Sequence, residues 1–479
     1  MKSNRGVLLL SAFFITLSLL SCIELRAQYR ISIEIKNNND SMIIIGNYYL
    51  KGTYALDTAY LKKGKFVFEK KNKTFDPGIY FFANSKGKYC EFMIDKQQKF
   101  SFITDEKDWA SNMKVIDSKT NELYFKYMED NAQFTNKANA IQGKKAELGD
   151  QEYNKRMKEI RLQSDTLKEN FIKNNPDHLL SKVLQATKDI ILPTPKNVYN
   201  IDGSLDSNSM KLETYNYYLS HYFDNMDLKC DGLLRTPASV FYTYYNNYWD
   251  EAMKFQTRDS IFSYACYWIE KSRGSKLMFK FLVHDITERY LKSKVLGYDE
   301  VYIKMIKKYY ASGDATWMSP TDLDREVARA NKWENLMIGK TLPDLYCPDT
   351  NNVIHNIYGL NTKYKLLIFW SYDCGHCATE LPKFFEFYKK YKDVYNLEVM
   401  AFNSGNDLNE WKSSFIKKGL TWLNVNGLVS NYDWHDYLDI ETTPFVLLLD
   451  KDNKIIAKKI NGDNIENFIK YYDEGKLKF

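Results

Sequence analysis

Cys374 and Cys377 are the residues whose type and spacing most clearly suggest chemistry. Two thiols with two residues between them can close and reopen a disulfide, or supply half of a zinc site, so the pair alone leaves both readings open. No second pair of Cys or His stands at ligand spacing nearby, and this favours redox work over metal binding. Haem attachment needs His directly after the second Cys, and Ala378 fills that position. A structural disulfide that never turns over is the bland alternative.

The flanking residues say how such a pair is held. Residues 366–370, Leu-Leu-Ile-Phe-Trp, have the pattern of a strand buried on both faces. After the cysteines, residues 378–381 and the spacing of Leu381, Phe384, Phe385 and Tyr388 predict a helix, which Pro382 is expected to kink. Cys374 then lies near a helix N-terminus, where the dipole and unpaired N–H groups favour thiolate. The first cysteine is the one nearest the helix tip and solvent.

The same alternation continues over residues 336–479. A strand at 397–402, a helix at 408–418, and a hairpin of 445–449 and 454–458 follow, with Asn453 able to take a left-handed conformation in the turn. A last helix begins at Ile465. This is an α/β layer with a mixed sheet.

Residues 28–107 read as a small antiparallel all-β sandwich or barrel: residues 29–35 alternate strictly, and later short strands are separated by turns such as Asp76-Pro77-Gly78. Residues 108–335 change to helical period. Tyr153, Met157, Ile160, Ser164, Leu167 and Phe171 share one face of a long helix, and further helices are expected at 179–191, 240–255, 298–310 and 322–336 among others. His178, His221 and His284 are isolated and lack metal-ligand spacing. Cys90, Cys230, Cys266 and Cys347 are scattered unlike a disulfide framework and read chiefly as small buried hydrophobes.

At the N-terminus, Lys2 and Arg5 precede a hydrophobic run over 7–20 that is short for a membrane span and fits a secretory signal. Two processing sites compete. Leu19-Leu20-Ser21-Cys22 resembles a lipobox, with the signal ending at residue 21 and a lipid on Cys22, whereas Leu25-Arg26-Ala27 resembles ordinary cleavage after residue 27. The chain is therefore expected in the periplasm or cell envelope. Its 479 residues suit several domains, and 67 basic against 61 acidic residues form no long blocks or nucleic-acid motif. Thirty-seven tyrosines are spread along the chain rather than clustered.

Several separate features now carry a resemblance: the strand-delivered Cys374-Gly375-His376-Cys377, Glu380-Leu381-Pro382 after it, the Gly-Lys-Thr-Leu-Pro-Asp run at 339–344, and Thr443-Pro444 ahead of the hairpin. Together they resemble thioredoxin-fold domains of the TlpA/ResA type, exported thiol-disulfide oxidoreductases, and the preceding parts resemble domains found before such modules in Bacteroides-like envelopes. The resemblance implies exchange with protein thiols and disulfides of the envelope, no bound cofactor, and a reductase kept reduced by a membrane electron donor. Cys374 attacks and Cys377 resolves a mixed disulfide. Thr443-Pro444 matches the fold's cis-proline, and Glu380 matches an acidic residue that takes the proton of Cys377. The alternative for Glu380 is a first-turn glutamate stabilised by the helix dipole.

His376 matches the dipeptide of protein disulfide isomerase rather than that of thioredoxin. A partly protonated imidazole there stabilises thiolate and makes the couple more oxidising. Asp373 departs from the tryptophan common at its position, and its negative charge opposes His376. A different class of function also fits the chain: an envelope binding or scaffold protein with an inert thioredoxin-like module.

Overall fold

The computed structural model describes residues 29–440 and 442–477; the signal segment, both processing sites and Cys22 lie outside them. The chain forms two compact units, one reaching to Lys254 and including Ser272–Met278, the other Phe255–Lys271 and everything from Phe279 onward. The fold is multidomain, with N-terminal β-sheets, a helical middle and a C-terminal α/β layer. The helical stretch expected over 108–335 is shared between the two units.

In the first unit, strands β1 (Tyr29–Lys36), β2 (Met42–Tyr49), β3 (Gly52–Tyr60), β4 (Phe66–Lys70), β5 (Gly78–Ala83), β6 (Tyr89–Ile94), β7 (Lys99–Asp105) and β8 (Lys114–Ile116) build two four-stranded sheets, β4-β1-β7-β8 and β3-β2-β5-β6. Alternation in β1 buries Tyr29, Ile31, Ile33 and Ile35 and leaves the residues between them facing outward. The sheets face each other through aromatic rings: Phe82 and Phe92 lie 6.3 and 5.3 Å from Phe102. One pairing departs from the antiparallel expectation. β1 and β7 run parallel, because the long excursion through β2–β6 brings the chain back in its original direction.

Helix α1 (Lys119–Gln142) is capped by Ser118 and pinned to β6 by buried Asn121, which accepts from Met93 N at 2.8 Å and donates to Met93 O at 2.9 Å. In α2 (Lys145–Asn174), the six residues expected to share a face are all half-buried, and Gly149 at φ 69° breaks the first turn. The helix expected at 179–191 is shorter: α3 (Leu179–Ala186) stops before the Pro193 and Pro195 segment. Helix α4 (Ser207–His221) follows, and the helix expected at 240–255 is α5 (Tyr242–Asn247) continued by a π-helical turn at Tyr248–Ala252.

The second unit takes in α6 (Arg258–Lys271), most of α7 (Lys276–Leu291), α8 (Asp299–Met305) and α9 (Pro320–Glu334). Its α/β layer holds the short pair β9 (Tyr346–Pro348) and β10 (Ile354–Asn356), then β11 (Tyr364–Trp370), α10 (Gly375–Tyr395), β12 (Leu397–Asn403), α11 (Leu408–Lys417), β13 (Leu423–Val425), α12 (Trp434–Leu438), β14 (Phe445–Leu449), β15 (Ile455–Lys458) and α13 (Ile465–Asp473). The sheet order is β13-β12-β11-β14-β15, parallel on the β12 side of β11 and antiparallel on the other. Every residue of β11 is buried: Leu366, Ile368 and Trp370 pack on the α10 side, while Leu367 and Phe369 pack on the side of Leu336, Trp434 and Leu438. Asn453 takes φ 60° in the hairpin turn. Pro382 falls inside α10 without ending it. Near the hairpin, buried Lys458 pairs with Asp299 of α8 and donates to Leu336 O at 2.8 Å; burial pulls its ammonium below the usual lysine range and Asp299 opposes that. Among the described residues no helix is long and apolar enough to cross a membrane.

Candidate redox site

Local structure places the two cysteines. β11 ends at Trp370, and Cys374 serves as the N-cap of α10, its Sγ accepting from Cys377 N at 3.1 Å. This N–H and the first helical turn favour negative charge on Cys374. The two residues are joined as a disulfide, with Cα atoms 5.2 Å apart. Their exposure differs: Cys374 is half-buried, whereas Cys377 is 1% exposed within the cluster of Trp370, Leu381 and Phe384. An external thiolate attacking the disulfide therefore meets Cys374 first.

Register brings the second component. Phe369 of β11 pairs with Phe445 of β14, so the residues that follow β11 stand beside those that precede β14. Thr443 O consequently lies 3.2 Å from Cys374 Sγ, and the Thr443–Pro444 peptide is cis. When the pair is reduced, the Cys374 thiol can donate to this carbonyl, which favours thiol over thiolate and opposes the Cys377 N–H.

The remaining sequence-predicted residues are spread around this centre. His376 is exposed in the first helical turn, where its backbone oxygen accepts from Thr379 Oγ1 at 2.9 Å. Asp373 is exposed and accepts from the Ser371 hydroxyl. Glu380 accepts from Lys383 Nζ at 2.9 Å and from Gly462 N at 3.3 Å, tying α10 to the segment before α13. Two residues carried no signal in the sequence. The Tyr372 hydroxyl accepts from Asp407 N at 3.2 Å, linking the cysteine loop to the loop after β12, and Trp333 donates to Asp439 at 2.9 Å. Neither partner is foreseeable from spacing.

Two of the other thiols are poorly suited to exchange. Cys90, Cys230, Cys266 and Cys347 are free; burial pushes Cys90 up to about 12 and Cys347 up to about 11. His178 caps α3, accepting from Leu180 N at 3.1 Å, with its Nε2 3.1 Å from Thr120 O, and His221 Nδ1 lies 2.5 Å from Asp224. Among the described residues no group of three His, Cys, Asp or Glu side chains is placed to hold a metal ion.

Two stretches of the chain match family models. Residues 361–455 match a family model described as thioredoxin-like, and residues 29–124 match one described as a domain of unknown function (DUF4369). A search of curated proteins returns no match. Among solved structures, a domain of a possible thiol-disulfide isomerase from Cytophaga hutchinsonii is 34% identical, covering 29% of this chain and 95% of its own, with a TM-score of 0.28. The thioredoxin domain of a thiol-disulfide oxidoreductase from Bacteroides vulgatus is 24% identical over 28% of this chain and 96% of its own, with a TM-score of 0.26. A thioredoxin-like protein from Bacteroides caccae is 16% identical over 60% of this chain and 99% of its own, with a TM-score of 0.45.

Proposed function

We propose that the protein exchanges disulfides with proteins of the cell envelope, working in the manner of the TlpA/ResA type; the match of residues 361–455 to a family model described as thioredoxin-like supports this. The observation that carries this reading is the asymmetric pair: a half-buried Cys374 at a helix N-cap and a buried Cys377 behind it. Cys374 thiolate attacks one sulfur of a partner disulfide, forming a mixed disulfide and releasing the other partner sulfur as thiolate. Cys377 thiolate then attacks Cys374 Sγ, closing the intramolecular disulfide and releasing the second partner thiolate. Two electrons pass to the partner. A membrane-borne dithiol donor returns them by the reverse exchange, and in this direction the protein is a reductase.

Supporting roles are carried over from the resemblance, and the 3.2 Å approach of Thr443 O to Cys374 Sγ supports the first of them. Thr443 and Pro444 face Cys374 and present a backbone edge to the partner chain, Glu380 takes the proton of Cys377, and His376 tunes the potential. Export is read from the leader alone, with the mature chain either released after Ala27 or held to a membrane by lipid on Cys22. The test is the Cys377→Ser variant expressed in envelope-bearing cells. Mixed disulfides that collapse on reduction and map to Cys374 are expected; their absence, with Cys377→Ser as free of adducts as the Cys374→Ser control, contradicts the reading.

A further inference from the structure

We infer that Trp333 and Asp439 are positioning residues for the redox pair: their hydrogen bond holds the chain that sets the Thr443 carbonyl against Cys374. The inference rests on the exchange reaction proposed above. Trp333 stands near the end of α9, outside the 361–455 stretch that matches the thioredoxin-like family. Its indole N–H donates to Asp439 Oδ2 at 2.9 Å. Asp439 directly follows α12 and has φ 53°, in the left-handed region. Aspartate tolerates this conformation, and the indole N–H fixes the direction of its carboxylate.

The grip has further points. Lys332 Nζ lies 2.7 Å from Asp436 Oδ1, and Asn335 Nδ2 donates to Tyr437 O at 3.1 Å, so the end of α9 clasps α12 along its length. On the other side of Thr443–Pro444, Lys459 Nζ stands 5.2 Å from the Trp333 ring and 5.9 Å from the Phe445 ring, and Lys459 N donates to Val446 O at 2.8 Å. Thr443 and Pro444 thus lie between Asp439, which Trp333 holds, and Val446, whose partner Lys459 extends its ammonium over the Trp333 ring. The consequence at the site is chemical. A carbonyl 3.2 Å from Sγ stabilises the Cys374 thiol, and the same peptide is the edge offered to a partner chain. Loosening the loop withdraws both effects together.

Three substitutions in the full chain separate positioning from general stability. Trp333→Phe keeps a ring under Lys459 and removes the donor. Asp439→Gly removes the acceptor while tolerating the left-handed backbone, and Asp439→Asn keeps an acceptor oxygen. Trp333→Phe and Asp439→Gly are each expected to lose roughly tenfold in kcat/KM for insulin reduction, chiefly through KM. In both, the pH midpoint for alkylation of Cys374 by iodoacetamide is expected to move down, while Asp439→Asn tracks the unsubstituted protein. An unshifted midpoint in Trp333→Phe overturns the inference whether or not turnover falls, because a merely loosened fold does not change the thiol's immediate neighbour. The alkylation measurement needs no substrate. An unsubstituted protein inactive on insulin therefore refutes the exchange reading, while the midpoint still decides the positioning.

Discussion

The carbonyl of Thr443 stands 3.2 Å from Sγ of Cys374, a contact across 69 residues of sequence. It faces the sulfur from the side opposite in effect to the Cys377 N–H, which approaches to 3.1 Å. One group favours thiol, the other thiolate. The balance at Cys374 therefore includes these two backbone groups, and His376 and Asp373 are proposed to add adjustments from exposed positions.

His376 provides the adjustment that can be removed most cleanly. His376→Pro places proline in the first helical turn, where a missing N–H is tolerated, and deletes the imidazole proposed to stabilise thiolate. The couple should become more reducing. Thioredoxin and the isomerase differ by about 90 mV, and about 30 mV is a tenfold change in a two-electron equilibrium. Equilibration with glutathione is expected to show a shift of at least roughly tenfold toward the disulfide form. No shift would leave the potential to the backbone groups alone.

The ion pair of Lys458 with Asp299 carries a stability prediction. The lysine side chain is 5% exposed and the aspartate 21%. Removing one partner of such a pair leaves a buried charge uncompensated and typically costs about 3–5 kcal/mol. Asp299→Ala should destabilise by the low end of that range, because Asp299 keeps some contact with water. The double replacement Asp299→Leu with Lys458→Met should recover most of the loss. Urea unfolding of the full chain measures both.

His178 makes the first unit sensitive to acid. Burial holds its imidazole below the usual histidine range, with the Thr120 carbonyl opposing more weakly. A base with a depressed folded pKa binds a proton more readily when unfolded, so its contribution is complete above about pH 6.5 and is lost as pH falls below that value. His178→Asn can still cap α3 through its side-chain oxygen. The variant is expected to show a flatter dependence of the urea midpoint between pH 7 and pH 5; an unchanged slope would remove His178 from the account.

Much of the site was legible in the sequence because its parts are local. The buried strand over 366–370, the N-terminal position of Cys374 on a helix and the left-handed Asn453 each follow from a few neighbouring residues, and the structure has all three. The half-buried face of α2 was likewise fixed by spacing. What sequence alone does not give is pairing at a distance. The parallel partnership of β1 and β7 depends on where the excursion through β2–β6 ends. The early stop of α3 depends on prolines several residues beyond a continuing apolar run. Trp333 and Asp439, 106 residues apart, have no pattern in common and meet only because α9 lies along α12.

Cys374 is proposed to carry the exchange, and insulin reduction driven by a small dithiol reads that role out. The unsubstituted protein is predicted to accelerate precipitation of reduced insulin chains, and Cys374→Ser to lower the rate to that of the dithiol alone. Full activity in Cys374→Ser would contradict the account.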